Sequence, residues 1–231
     1  MNHVVETLFT SEKYTTQQMI LYYLGAFSWF SAYILVVRRI IREKFIEFPG
    51  FIIAGNVPWE LLWGFYFPLD FGGVYLLWLW RCGALLDCFN FYAVLRWGRQ
   101  EALNPYLRKY HVPVMIGSFV VLGALNYFYT AQGWDLPFGI RSAMIQNVIM
   151  STMCIVMVLK FPQKQFSKAV GWLKFFGTSV FFNIFIFSVW PEDRFTQALG
   201  ITCILLDLIH IYLVSTQKWK TKALEQQASI A

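Results

Sequence analysis

The chain has 231 residues and a formal net charge of +6; 58% of its residues are hydrophobic, 19% aromatic and only 14% charged. Mean hydropathy is +0.50. A soluble domain ordinarily carries about 25% charged residues, so soluble enzymes and disordered binding modules are excluded and an integral membrane protein is expected.

Seven apolar runs follow one another, at about 17–37, 50–68, 73–95, 112–131, 140–159, 170–190 and 197–215. Each approaches the ~20 residues that carry a helix across ~30 Å of hydrocarbon. The first sixteen residues are too polar for a cleavable signal, and Arg38 and Arg39 follow the first run. The connections are short and no motif recurs at a fixed offset. The expected fold is therefore all-α: a multi-pass protein with one seven-helix transmembrane domain over 1–231.

Basic residues set the orientation. Arg38, Arg39, Arg42 and Lys44 follow run one; Arg96, Arg99, Arg108 and Lys109 follow run three; Lys160, Lys164 and Lys168 follow run five; Lys218, Lys220 and Lys222 follow run seven. The other side keeps Lys13, Arg141 and Arg194. The positive-inside rule then puts the C-terminus in the cytoplasm and the N-terminus outside. The net positive charge belongs to these flanks, so the lipid bilayer is a partner and nucleic acid is not. Cys82, Cys88, Cys154 and Cys203 all lie in apolar runs without C-x-x-C spacing, so neither a zinc site nor a disulfide framework is indicated.

Three acids fall inside the runs: Glu60, Asp87 and Asp207. Each costs roughly 2.5–3.5 kcal/mol near the bilayer centre unless it is paired, protonated or hydrated. Counting from the cytoplasmic ends, Glu60 lies about 15 Å deep and the other two about 12 Å. Three carboxylates at one level are expected to face a single central pocket, with an interhelical clamp as the bland alternative. Pro58 frees the Ala54 carbonyl and loosens the helix beside Glu60. Asn56, one turn before Glu60, is placed to hydrogen-bond its carboxyl. His210 shares a face with Asp207, as a relay or as a core histidine. Arg81 is six residues from Asp87, on the opposite face; it reaches another helix's acid or snorkels. Lys174, near the start of run six, is expected to snorkel to the interface. Trp59 and Trp63 lie too deep for an interfacial belt. Their faces suit a cation that offers no hydrogen-bond donor, with core packing as the competing account.

A retinal protein needs a lysine in the middle of the last helix, where Asp207 stands instead. A receptor has little loop here with which to meet partners. A proton-coupled transporter and an enzyme acting on a lipid-soluble substrate both remain.

The segment Asn56-x-x-Trp59-Glu60, Asp207, the seven runs and the total length resemble the small integral-membrane terpene cyclases of fungal meroterpenoid and indole-diterpene pathways, which have bacterial relatives. That resemblance implies a linear farnesyl or geranylgeranyl chain, free or on an aromatic or polyketide head group. Its terminal epoxide or alkene is protonated and the cation closes rings. Carried over, Glu60 and Asp207 are the catalytic residues: Glu60 is expected to be the general acid, with Asp207 assisting it or closing the proton cycle, and the two assignments can be exchanged. Asn56, Trp59, Trp63, Tyr66, Asp87 and His210 are the candidate substrate-binding residues, and Phe65 is a further aromatic. No cofactor and no metal is expected, because no diphosphate has to be ionised. The membrane would be the plasma membrane in a bacterium and the endoplasmic reticulum in a fungus.

Overall fold

The structure, a computed structural model, describes residues 13–67, 73–102 and 104–216. α1 (Thr16–Glu43) opens with a capping box: the Thr15 hydroxyl accepts from the Gln18 N–H, and the Gln18 side chain accepts from the Thr15 N–H at 2.8 Å. It ends at Lys44 in the left-handed region. α2 (Gly50–Leu61) contains Pro58, which cannot donate to the Ala54 carbonyl. The helix nevertheless stays α past Pro58 and widens only afterwards, into a π turn over Leu62–Tyr66. The expected loosening at Ala54 is thus displaced by two turns.

α3 (Gly73–Trp97) leads through a short 3-10 turn to α4 (Pro105–Lys109), whose first turn is capped by the Asn104 side chain. α5 (His111–Ala131) and α6 (Ile140–Lys160) are joined by a loop ending in the turn Pro137–Gly139. α7 (Lys168–Lys174), a π-helical segment (Phe175–Phe182) and α8 (Asn183–Val189) form one continuous rod. α9 (Arg194–Thr216) starts where the Asp193 carboxylate accepts from the Thr196 N–H at 3.1 Å.

Among the described residues the fold is all-helical. Five rods are long and apolar enough to cross a membrane: Thr16–Glu43, His111–Ala131, Pro137–Lys160, Lys168–Val189 and Arg194–Thr216. The other two expected spans do not meet that standard. α2 has only 12 residues before its π turn, and α3 carries Arg81, Asp87 and Asn90 within its apolar run. Lys218, Lys220 and Lys222, and residue 68 at the end of the second expected span, lie outside the described residues.

Among the described residues three apolar clusters hold the rods together, the smallest of them around Phe45, Met157, Phe161, Phe166 and Val214; the other two frame the site. One gathers Val36 and Ile40 of α1, Ile52, Ile53 and Val57 of α2, and Ala93 and Val94 of α3. The other packs Met19 and Tyr22 of α1 against Leu76, Phe138, Met144, Phe185 and Cys203. α1 belongs to both and forms the spine of the bundle. α5 lies at the periphery: His111 is its one buried residue among those described, while Val112, Ile116, Val120, Leu125 and Phe128 face outward, as suits lipid. At the Lys44 end of α1, Glu47 pairs with Arg39 at 2.9 Å and accepts from the Ser167 N–H, tying this loop to the start of α7. Burial pushes the Glu47 carboxyl up to about 7, against the pull of Arg39.

Candidate active site

The 3.6-residue period of α2 brings Asn56, Trp59 and Glu60 to one side, and all three border a cavity of about 90 Å³. A single water needs about 10–15 Å³, so Glu60 faces usable space rather than packed core. α1 supplies Ala26, Trp29, Phe30 and Tyr33; α3 supplies Leu79, Trp80 and Gly83. The far wall is Met144, Asn147 and Met150 of α6, Phe182 of the π segment and Ile186 of α8. The cavity lies where the two larger core clusters meet.

Glu60 is 6% exposed. The Tyr33 hydroxyl donates to its Oε1 at 3.4 Å. Its Oε2 has no hydrogen-bond partner among the described residues. A Cβ at position 83 would sit 2.9 Å from Oε2, so Gly83 is what leaves this oxygen room. The Asn56 amide does not donate to Glu60 directly, as its spacing suggested. It donates to the Tyr33 hydroxyl at 2.7 Å and to Asp87, whose carboxylate also accepts from Asn90 Nδ2 at 3.0 Å. Glu60 and Asp87 therefore belong to one buried network joined through Tyr33 and Asn56. Asp87 stands behind the cavity wall rather than in it. Replacing Tyr33 by Phe should lower turnover by roughly tenfold, the worth of one hydrogen bond near 1.4 kcal/mol, without abolishing it; initial rates in membranes measure this.

Trp59 donates through Nε1 to Ser142 Oγ at 2.8 Å and packs against Trp80 with centroids 4.8 Å apart. Ser142 Oγ in turn donates to Asp135, whose Oδ1 accepts the N–H groups of Leu136, Arg141 and Ser142. Burial pushes the Asp135 carboxyl above the usual carboxylate range, and these donors pull it back. Trp63 is buried beside Trp59 against Gly139, off the cavity. Tyr66 is 63% exposed and faces outward, its hydroxyl 3.4 Å from that of Tyr127; Phe65 is exposed as well.

Asp207 is not in this cavity, and no residue of α9 borders it. The three level acids resolve into two places. Asp207 is ion-paired with Lys174, each side chain 1% exposed, and accepts from Ser179 Oγ at 2.9 Å. Lys174 does not snorkel. It lies where α7 passes into the π segment, and a buried cation there has a partner in Asp207 that makes burial tolerable. His210 is buried against the backbone of Gly171. Arg81 donates to the Gly64 carbonyl at 3.1 Å and lies over the rings of Phe65 and Trp78.

Tyr33, Gly83, Trp29 and Asn147 border the cavity without having been singled out by the sequence. Each is an ordinary residue in an apolar run, and only the meeting of α1, α3 and α6 gives it a role.

No curated protein and no solved structure matches the chain. Residues 8–214 match the Pyr4-like transmembrane terpene cyclases. A buried carboxyl facing an aromatic cavity suits such chemistry, and the match covers nearly all of the chain: it belongs to the Pyr4-like transmembrane terpene cyclase family.

Proposed function

We propose that a linear prenyl chain, free or on an aromatic or polyketide head group, folds into the cavity with its reactive end against Glu60. Glu60 is the general acid. Its proton passes to the terminal epoxide oxygen, or to the terminal alkene carbon. The resulting cation is consumed by ring closures; loss of a proton from carbon to the carboxylate that Glu60 has become ends the sequence, restoring the acid and giving an isomer of the substrate. The observation that carries this reading is the Glu60 carboxyl itself: buried, with one oxygen that has no hydrogen-bond partner among the described residues, beside a cavity walled by indole and phenyl rings that stabilise a cation. Asn56 and Trp59 are the proposed binding-site residues beside it. Asp207 serves the same reaction as a positioning residue: Lys174 and Ser179 engage its carboxylate, and no residue of α9 borders the cavity. Family membership lends no support to proton-coupled transport.

The proposed topology is seven spans in one domain over 1–231, with the N-terminus outside and the C-terminus cytoplasmic; the one-sided distribution of basic loops supports it.

The test incubates membranes holding the protein with epoxidised and plain farnesyl- and geranylgeranyl-bearing phenols, separated by chromatography and mass spectrometry. Isomeric products of unchanged mass are expected. Absence of conversion by folded protein with the whole panel would count against this substrate class. Gly83→Ala provides a sharper check: the added methyl displaces the Glu60 carboxyl at a packing cost of about 1–3 kcal/mol. Turnover per folded molecule should fall well beyond any loss in thermal stability.

A further inference from the structure

A π-helix is uncommon because its i→i+5 bonds hold the backbone poorly, and long ones need outside support. The segment Phe175–Phe182 has that support at three points. At its start, Lys174 Nζ reaches Asp207 Oδ1 and also donates to Ser151 Oγ of α6 at 2.5 Å. At its middle, Ser179 Oγ donates to the other oxygen of the same Asp207 carboxylate. At its end, Asn183 Nδ2 donates to the Gly200 carbonyl of α9 at 3.1 Å. One carboxylate thus grips the segment twice.

The segment also shapes the cavity. Thr178 accepts from Trp29 Nε1 at 2.8 Å and donates to Asn147 Oδ1 at 3.3 Å. The Phe182 ring borders the cavity and packs so closely on α1 that a Cβ at position 25 would lie 2.8 Å from it. Reverting the segment to α geometry would turn residues on one side of it by roughly 100° about the axis, taking Thr178 or Phe182 out of place.

We infer that Lys174 is a positioning residue for cyclisation: together with Asp207 it locks the π-helical wall in the register that holds Trp29, Asn147 and Phe182 around the substrate. The activity readout rests on the cyclase reading above; the lock itself does not. A buried ion pair is costly to break from one side, whereas replacing both partners by apolar groups of similar size is often tolerated. That asymmetry separates a lock from a proton carrier.

Lys174→Met, Asp207→Leu and the double variant are compared with wild type in lipid nanodiscs. Two readouts are used: hydrogen exchange of the peptides covering residues 175–182, and conversion of epoxidised farnesyl phenol. Lys174→Met should raise exchange in that segment, cut product per folded molecule by roughly tenfold or more, and shift the remainder toward incompletely cyclised compounds. A loss of fold alone would not change the product mix. The double variant should return exchange to the wild-type level and recover most of the activity. If a single variant does not fold, the double variant decides through the same two readouts. Unchanged exchange in Lys174→Met overturns the lock, and so does a double variant with wild-type exchange and no product, which would make Asp207 a proton carrier. If wild type converts nothing, the substrate class fails while the exchange result still judges the lock.

Discussion

Glu60→Gln should lower turnover by roughly 10²–10⁴-fold, the usual worth of a general acid, while the protein inserts and folds as before. The amide keeps the size of the carboxyl and can still accept from Tyr33, so the cavity retains its shape. What is lost is a proton that can be surrendered. Glu60→Asp separates acidity from reach: the shorter side chain remains an acid but withdraws from the space opposite Gly83, and should retain a small fraction of the activity. Comparison of product formation per folded molecule, with folding followed by thermal unfolding in detergent, checks both variants. Full activity in the Gln variant would move the acid elsewhere in the network, with Asp87 as the next group to test.

The second large effect is expected at Gly139, where geometry alone forbids a side chain. Its φ is +66°, and an alanine there costs about 1–2 kcal/mol on conformational grounds. Its Cβ would also fall 2.2 Å from Trp63 Nε1 and 2.7 Å from Trp59 Nε1. Both indoles must then move, and Trp59 loses its bond to Ser142. Gly139→Ala should therefore destabilise the protein by about 2–4 kcal/mol and alter the product mix, because a cavity wall shifts. Thermal inactivation in detergent and product chromatography measure the two effects. A midpoint equal to that of wild type would mean that the indoles are not held against this turn.

The helical class, the membrane setting and the side of α2 that borders the cavity were legible because hydrophobicity and period 3.6 write them directly into the chain. Asn56, Trp59 and Glu60 share a face by spacing alone, and an acid in an apolar run advertises its own cost. The rest depends on which helices meet. Tyr33 reads as one more aromatic of a membrane helix until α1 lies across α2. Lys174 sits near a predicted span end, where a lysine normally reaches water, and its pairing with Asp207 requires α7 to pack on α9. The π segment has no signature of its own, since Phe175–Phe182 reads as well for an α-helix. Nor does the left-handed Phe138, φ +64°, announce itself, because non-glycine residues rarely occupy that region.

The indole N–H groups of Trp29 and Trp59 are both spoken for, by Thr178 and Ser142 respectively. Their polar edges are thus tied into the protein frame, and what they contribute to the enclosure is hydrocarbon ring surface. A carbocation survives only as long as no lone pair or mobile water reaches it. In the proposed cyclisation, these two indoles would therefore present the intermediate with hydrocarbon rather than a polar edge, leaving it longer to find its next carbon–carbon bond before it is quenched.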